Sequence, residues 1–238
     1  MSDTPTLVQY LGHSAFKISY GSTVMLVDPF LTGNPKAPCG WEEAAKGCTH
    51  VLLSHGHDDH VGDTLAIAKA TGCTVVGMVE LMAYLAKQQA GLKTEQMNLG
   101  GSLALSDDVT VSLVQAYHST GAGKDGVYTG VAAGIIIKTP TATIYHAGDT
   151  AAFSDMGLIN DLFAPDVGLL PIGGRFTMDA LAAAACCEHF FDFDVIVPMH
   201  YATFGVLAPD AREFETLCAA AKIEGEVVAM VPGEEIEV

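Results

Sequence analysis

Apolar and polar residues alternate from the start of the chain, and the alternation predicts strands over Leu7 to Leu11, Ala15 to Tyr20 and Thr23 to Val27, with Gly21-Ser22 as a hairpin turn. Asp28 to Pro38 holds three prolines and the turn residues Gly33 and Asn34, and predicts an irregular loop over the surface. A strand over His50 to Ser54 runs into a turn rich in glycine and histidine. A helical pattern follows from about His60 to Ala70 and stops at Gly72. A short strand, Thr74 to Val76, and a helix, Val79 to Ala90, come next, the helix stopped by Gly91. Ser102 to Ala116 and Val131 to His146 return to strands, with Thr139-Pro140-Thr141 as a hairpin turn. The last third predicts strand Val167 to Leu170, helix Met178 to Phe190, strand Val195 to Met199, helix Asp210 to Ala221 and strand Glu226 to Val231.

Each half thus runs from a block of strands into β/α alternation. That order predicts an α/β fold with two mixed sheets packed face to face and helices on the outer faces, an αββα sandwich of four layers. The 238 residues suffice for one large domain over 1–238, with no short-period repeat or low-complexity linker to divide it.

Half the residues are hydrophobic and 16% are charged, which excludes a disordered chain. No apolar run reaches membrane-spanning length, and the opening Ser2-Asp3-Thr4-Pro5 lacks the basic start and apolar stretch of a secretory signal, so a cytoplasmic location is expected. The formal charge of -17 makes a nucleic-acid or anionic-lipid partner unfavourable, although a small anionic substrate remains compatible with a cationic metal centre. The six cysteines show no C-x-x-C pairing and read as small apolar core residues in a reducing compartment.

The densest chemistry lies in Ser54-His55-Gly56-His57-Asp58-Asp59-His60, directly after an apolar strand. Neutral imidazoles and carboxylates are ligands for zinc, iron or manganese, and Gly56 permits the tight turn that lets near neighbours converge. Three further candidates each follow a predicted strand: His118, Asp149 and His200. If those strands run the same way, their ends deliver all the ligands to one edge of the sandwich. Asp58 reads as a solvated or helix-capping carboxylate, whereas Asp59 can both ligate and orient a nucleophile. His146 suits a partner supporting Asp149 from behind or a hydrogen-bonded sheet histidine. His13, in a Gly-His-Ser turn between strands, suits a proton donor to the leaving group. Arg175, in a Gly-Gly-Arg loop, can pair with an anionic substrate, and Asn34 is a weaker substrate-binding candidate on its loop.

The sequence resembles the metallo-β-lactamase superfamily. Its H-x-H-x-D-H motif is matched by His55, His57, Asp59 and His60, followed in order by His118, by Asp149 in His146-Ala147-Gly148-Asp149-Thr150 and by His200 in Pro198-Met199-His200-Tyr201. More narrowly, Leu11-Gly12-His13-Ser14, the Asp28-to-Pro35 segment and Pro171-to-Met178 are similar to metal-dependent hydrolases related to the ascorbate-6-phosphate lactonases. The resemblance implies two divalent metal ions, one held by His55, His57 and His118, the other by Asp59, His60 and His200, with Asp149 bridging. It further implies hydrolysis of a small ester, lactone or phosphodiester by a hydroxide that the two ions share and activate. A non-catalytic metal-binding sensor or scaffold is the alternative within the same fold. The residues leave the metal open among zinc, manganese and iron, and the apolar composition leaves room for a homo-oligomeric interface.

Overall fold

The computed structural model describes residues 4–238. Along the chain, β1 (Leu7–Tyr10), β2 (Phe16–Tyr20) and β3 (Thr23–Val27) lead through the short helix α1 (Trp41–Ala44) to β4 (His50–Leu52). Helices α2 (Asp58–Val61) and α3 (Thr64–Thr71) follow, then β5 (Thr74–Met78), α4 (Val79–Gln88), β6 (Thr94–Met97), β7 (Ser102–Ala104) and β8 (Thr110–Gln115). Next come β9 (Ala133–Lys138), β10 (Thr143–His146), α5 (Met156–Phe163), β11 (Val167–Pro171) and α6 (Ala180–Phe190). The chain closes with β12 (Val195–Met199), α7 (Arg212–Ala221), β13 (Glu226–Val227) and β14 (Glu235–Glu237).

The strands form two seven-stranded sheets, ordered β14-β1-β2-β3-β4-β5-β6 and β13-β12-β11-β10-β9-β8-β7. Each sheet is antiparallel in one half and parallel in the other, and the expected αββα sandwich is what the chain adopts. In β2, Phe16, Ile18 and Tyr20 point into the core while Lys17 and Ser19 stay half-buried, the pattern of a sheet with one apolar face. In β11 all five residues are buried, as a parallel strand covered on both faces requires. Pro198 lies inside β12, where a missing N–H is normally costly. It falls beyond the last residue of β13 paired with β12, so no ladder bond is lost there.

The central core lies between the sheets, where Val8, Phe16, Met25 and Val27 of the first meet Ile135, Ile137, Leu169 and Val197 of the second. A second core packs α5, α6 and α7 on the other face of the second sheet through Ile159, Cys187 and Phe214. The side chain of Asp179 accepts from the Ala182 N–H (2.8 Å) and starts α6, whose alanines allow close approach to the sheet.

Two expectations are corrected. The helix predicted over 60–70 is two helices, because Gly62 (φ 43°) breaks the chain where any Cβ would strike the Pro29 carbonyl and the Phe30 backbone. The segment 28–38 is irregular but does not simply cover the surface, since Asp28, Leu31 and Asn34 are buried. Asp63 holds it down by accepting the N–H groups of Leu31 (3.0 Å) and Thr32 (2.7 Å). Among the described residues, no helix is long and apolar enough to cross a membrane.

Candidate metal centre

Strands β8, β10, β11 and β12 run the same way in one sheet, and β3, β4 and β5 run together in the other. The loops that follow their C-terminal ends therefore meet at one edge of the sandwich. There the structure brings together all seven residues expected from the sequence, and adds His13 from the β1–β2 turn. Donor atoms of His55, His57 and His118 lie within 4.8 Å of one another, as do those of His13, Asp59, His60 and His200. Asp149 stands between the two groups. Its Oδ1 is 3.2 Å from His60 Nε2, and its Oδ2 is 3.2 Å from His200 Nε2 and 3.4 Å from His118 Nε2.

The tautomers follow from the hydrogen bonds behind the pocket. Asp28, fully buried and turned out of β3 at φ 45°, accepts from the Ser54 N–H (2.8 Å) and from Ser54 Oγ (2.5 Å). The Ser54 hydroxyl, its proton given to Asp28, accepts from His55 Nδ1 (2.9 Å). Asp28 Oδ2 also receives His60 Nδ1–H at 2.7 Å. With both Nδ1 atoms donating backwards, the Nε2 atoms of His55 and His60 face the pocket, an arrangement common around bound metals. Burial pushes the His55 imidazole well below its ordinary 6.5 and lowers His118 as well, so both are neutral donors near neutral pH. Burial also works against the Asp149 carboxylate, but the neighbouring His60 and His200 outweigh it and hold the group well below 3.8.

The chemistry of this donor set fits divalent cations. His60 Nε2, Asp149 Oδ1 and His200 Nε2 are buried and, among the described residues, make no hydrogen bond, although they lie 3.2 Å from their neighbours. Buried polar atoms without partners are rare, and imidazole nitrogens converging with a carboxylate from separate loops are what a cation satisfies.

His13 is buried at φ 59°, its carbonyl held by Tyr10 OH (3.1 Å) and His200 N–H (2.8 Å). His13 Nδ1 lies 3.0 Å from the Thr203 hydroxyl, which is itself 3.1 Å from the Tyr201 carbonyl. His13 Nε2–H donates to Asp59 Oδ2 at 3.2 Å, the only direction open to an ionised carboxylate. Burial lowers the His13 imidazole to about 4, so the neutral form is the one present near neutral pH. Phe30 and Phe204 stand edge-on to this ring at centroid separations of 5.7 and 5.3 Å and make an apolar wall beside it.

The remaining expected residues lie outside this cluster. Both ends of the Asn34 amide are committed to its own loop, Nδ2 donating to the Phe30 carbonyl (3.0 Å) and Oδ1 accepting the Lys36 N–H (2.9 Å). Arg175 is exposed on the loop after β11, its guanidinium 5.6 Å from the Phe176 ring. His146 accepts the Gly148 N–H at Nδ1 (3.2 Å), and its Nε2 donates to the Ser14 carbonyl (2.9 Å). It thus ties the turn that carries Asp149 to the turn that carries His13.

Residues 23–201 match the family described as the beta-lactamase superfamily domain. The chain belongs to this superfamily. A UPF0173 metal-dependent hydrolase from Chelativorans sp. (strain BNC1) is 42% identical over 235 residues, covering 97% of this chain and 99% of that protein. One of the same name from Methylocella silvestris is 47% identical over 207 residues, covering 85% and 88%. Igni18, described as a novel metallo hydrolase from the hyperthermophilic archaeon Ignicoccus hospitalis KIN4/I, superposes with a TM-score of 0.88 at 34% identity over 99% of both chains. The metallo-beta-lactamase fold protein YhfI from Bacillus subtilis has a TM-score of 0.76 at 15% identity, covering 98% of this chain and all of that one, and shares the fold.

In this member of the superfamily, Asp28, Ser54 and Thr203 were not assigned roles from sequence, yet they orient His60, His55 and His13. For Asp28 a signal was present, since it too is a carboxylate directly after an apolar strand. Gly173 completes the cradle: a Cβ there would collide with the His200 carbonyl oxygen and press on the ring. Gly173→Ala is therefore expected to cost roughly 1–3 kcal/mol. For a chain of this size that lowers the melting temperature by about 2–12 °C. A thermal melt of the variant superimposing on that of the parent contradicts this account.

Proposed function

We propose that the site hydrolyses a small ester, lactone or phosphodiester with two divalent metal ions, one held by His55, His57 and His118 and one by Asp59, His60 and His200, with Asp149 shared. Metal-dependent hydrolysis is the activity named for the relatives over nearly the whole chain, and this chain is a metal-dependent hydrolase of the metallo-β-lactamase superfamily. One observation carries the finer reading: a buried carboxylate lies within 3.2–3.4 Å of three imidazoles from separate loops. Zinc, manganese or iron bound there supplies a water of lowered pKa and polarises the oxygen of the bond under attack.

The protein's own groups then position and move protons. Asp59, half-buried and held below its ordinary range by His13 despite the opposing effect of burial, presents a carboxylate oxygen that orients the attacking water. His13, neutral at rest, holds that carboxylate through its Nε2–H, and Asp59 takes up the proton released by attack. The His13–Asp59 pair then gives that proton to the leaving group. Arg175 offers a cation at the same edge to an anionic substrate. The apolar wall of Phe30 and Phe204 keeps bulk water from the His13 side.

Asp59→Asn and His118→Ala test this reading in metal-loaded protein on a panel of esters, lactones and phosphodiesters. Each is expected to cut turnover by more than ~100-fold, beyond the range typical of groups that merely support a ligand. Elemental analysis of the parent is expected to give two metal ions per chain. Unchanged rates in either variant, or a single ion at full activity, end the proposal.

A further inference from the structure

Away from the metal-donor cluster, two thiols meet where β4 and β5 begin. These strands are parallel neighbours, with His50 opposite Thr74, and the Thr74 N–H donates to the Thr49 carbonyl (3.1 Å) just ahead of them. Cys48 and Cys73 flank that bond, both buried, and each shifts the ionisation of the other. The Cys48 Sγ also lies 3.2 Å from the His50 carbonyl. The Cys48 thiol and Thr71 outweigh burial and hold the Cys73 thiol down at about 7, with Lys93 adding to the effect, while Cys48 itself is pushed up. The four other cysteines differ. Burial pushes Cys186 and Cys218 up to about 11 and raises Cys187 too, and Cys39 is half-buried on its own loop.

Cys73 also has a route to solvent. It lines a surface cavity of about 590 Å³ together with Lys69, Gly72, Gln89 and Lys93. Lys93 donates to the Gly72 carbonyl (3.0 Å), which keeps its positive charge beside the thiol. A reactive cysteine needs access, a neighbouring cation and a partner to resolve the first oxidation product, and all three meet here.

We propose that Cys48 and Cys73 form an oxidisable dithiol that closes to an intramolecular disulfide when hydrogen peroxide enters the cavity beside Cys73. The Cys73 thiolate attacks one peroxide oxygen, the O–O bond breaks, and hydroxide leaves, giving a sulfenic acid. The Cys48 sulfur then attacks the Cys73 sulfur and water departs. In sum, two thiols lose two electrons and two protons, and one peroxide becomes two waters. The loop so closed contains β4, the 55–60 turn, α2 and α3. The bond would staple the base of the strand that carries the histidine turn to its neighbour, at the end of the sheet opposite the metal-donor cluster.

The test uses the full-length, metal-loaded protein treated with one equivalent of hydrogen peroxide, then alkylated in denaturant, digested without reductant and mapped by mass spectrometry. The expected product is a Cys48–Cys73 linked peptide, lighter by two hydrogens and split by a thiol reductant, with the other four cysteines alkylated. In C48S the linked peptide disappears and Cys73 is captured by a sulfenic-acid reagent. The proposal is overturned if Cys48 and Cys73 remain fully alkylated, or if Cys73 links to a different cysteine. Should C48S fail to fold, the map of the parent protein decides alone.

Discussion

Asp28→Ala is expected to weaken metal binding by about 10–100-fold, although Asp28 itself is not among the proposed ligands. Its carboxylate accepts from the Ser54 N–H, the Ser54 hydroxyl and His60 Nδ1, and through Ser54 it also fixes His55. Removing it frees both imidazoles to turn and leaves a buried N–H and a buried hydroxyl without an acceptor. Breaking a fully buried ionic and hydrogen-bonded network typically costs roughly 3–5 kcal/mol. Asp28→Asn preserves shape but places an NH2 group where two donors already point, so it should fall between alanine and the parent. Competition against a chelator measures the first effect, and denaturant unfolding of the metal-free protein the second. An alanine variant with parental metal affinity and stability refutes the role given to this residue.

Metal binding at neutral pH is expected to release about one proton per chain, and the source is His60. Burial opposes charging of this imidazole, but Asp149 and Asp28 outweigh it and raise His60 well above 6.5 in the metal-free protein. A metal must displace the Nε2 proton, so below the raised pKa the apparent affinity should climb with pH, about tenfold per unit for one proton. Above that pKa the dependence should flatten. Calorimetric titrations in buffers of different ionisation heat count the proton, and equal heats in all buffers contradict the assignment. The same groups shape the stability of the metal-free chain. The raised His60 contributes stability that is complete below 6.5 and lost as pH rises through its folded pKa. The lowered Asp28 and Asp149 contribute stability present above 3.8 and lost as pH falls through their folded values. The lowered imidazoles of His13, His55, His118 and His146 act the other way, since unfolding lets them take up protons below 6.5, so metal-free protein should be most stable near neutrality and lose stability on the acidic side.

The strands that carry the site were legible because each places a polar side chain directly after an apolar run, as with His118, Asp149 and His200. Asp28 follows the same rule after β3, but the succeeding proline made the segment read as a surface turn, and only the fold shows its carboxylate turned inward. Elements without alternation were harder to see. In β6, Thr94, Glu95 and Gln96 are half-buried or exposed and Met97 alone is buried, and β14 is an acidic edge strand paired with β1. Helix α5 carries a glycine in its first turn, which weakens any propensity signal. Contacts such as His146 to the Ser14 carbonyl join residues far apart in the chain and belong to tertiary structure alone.

The turns at the opposite end of the sandwich, including Gly21-Ser22 and the hairpin closed by Thr139 N–H to the Ala142 carbonyl (2.9 Å), carry none of the proposed ligands. The molecule thus gathers all its proposed metal ligands on one rim. A peptide tag or fluorophore grafted into the Gly21-Ser22 turn would sit a full strand length from the histidines, so probes and affinity handles can be installed there while the catalytic rim stays native.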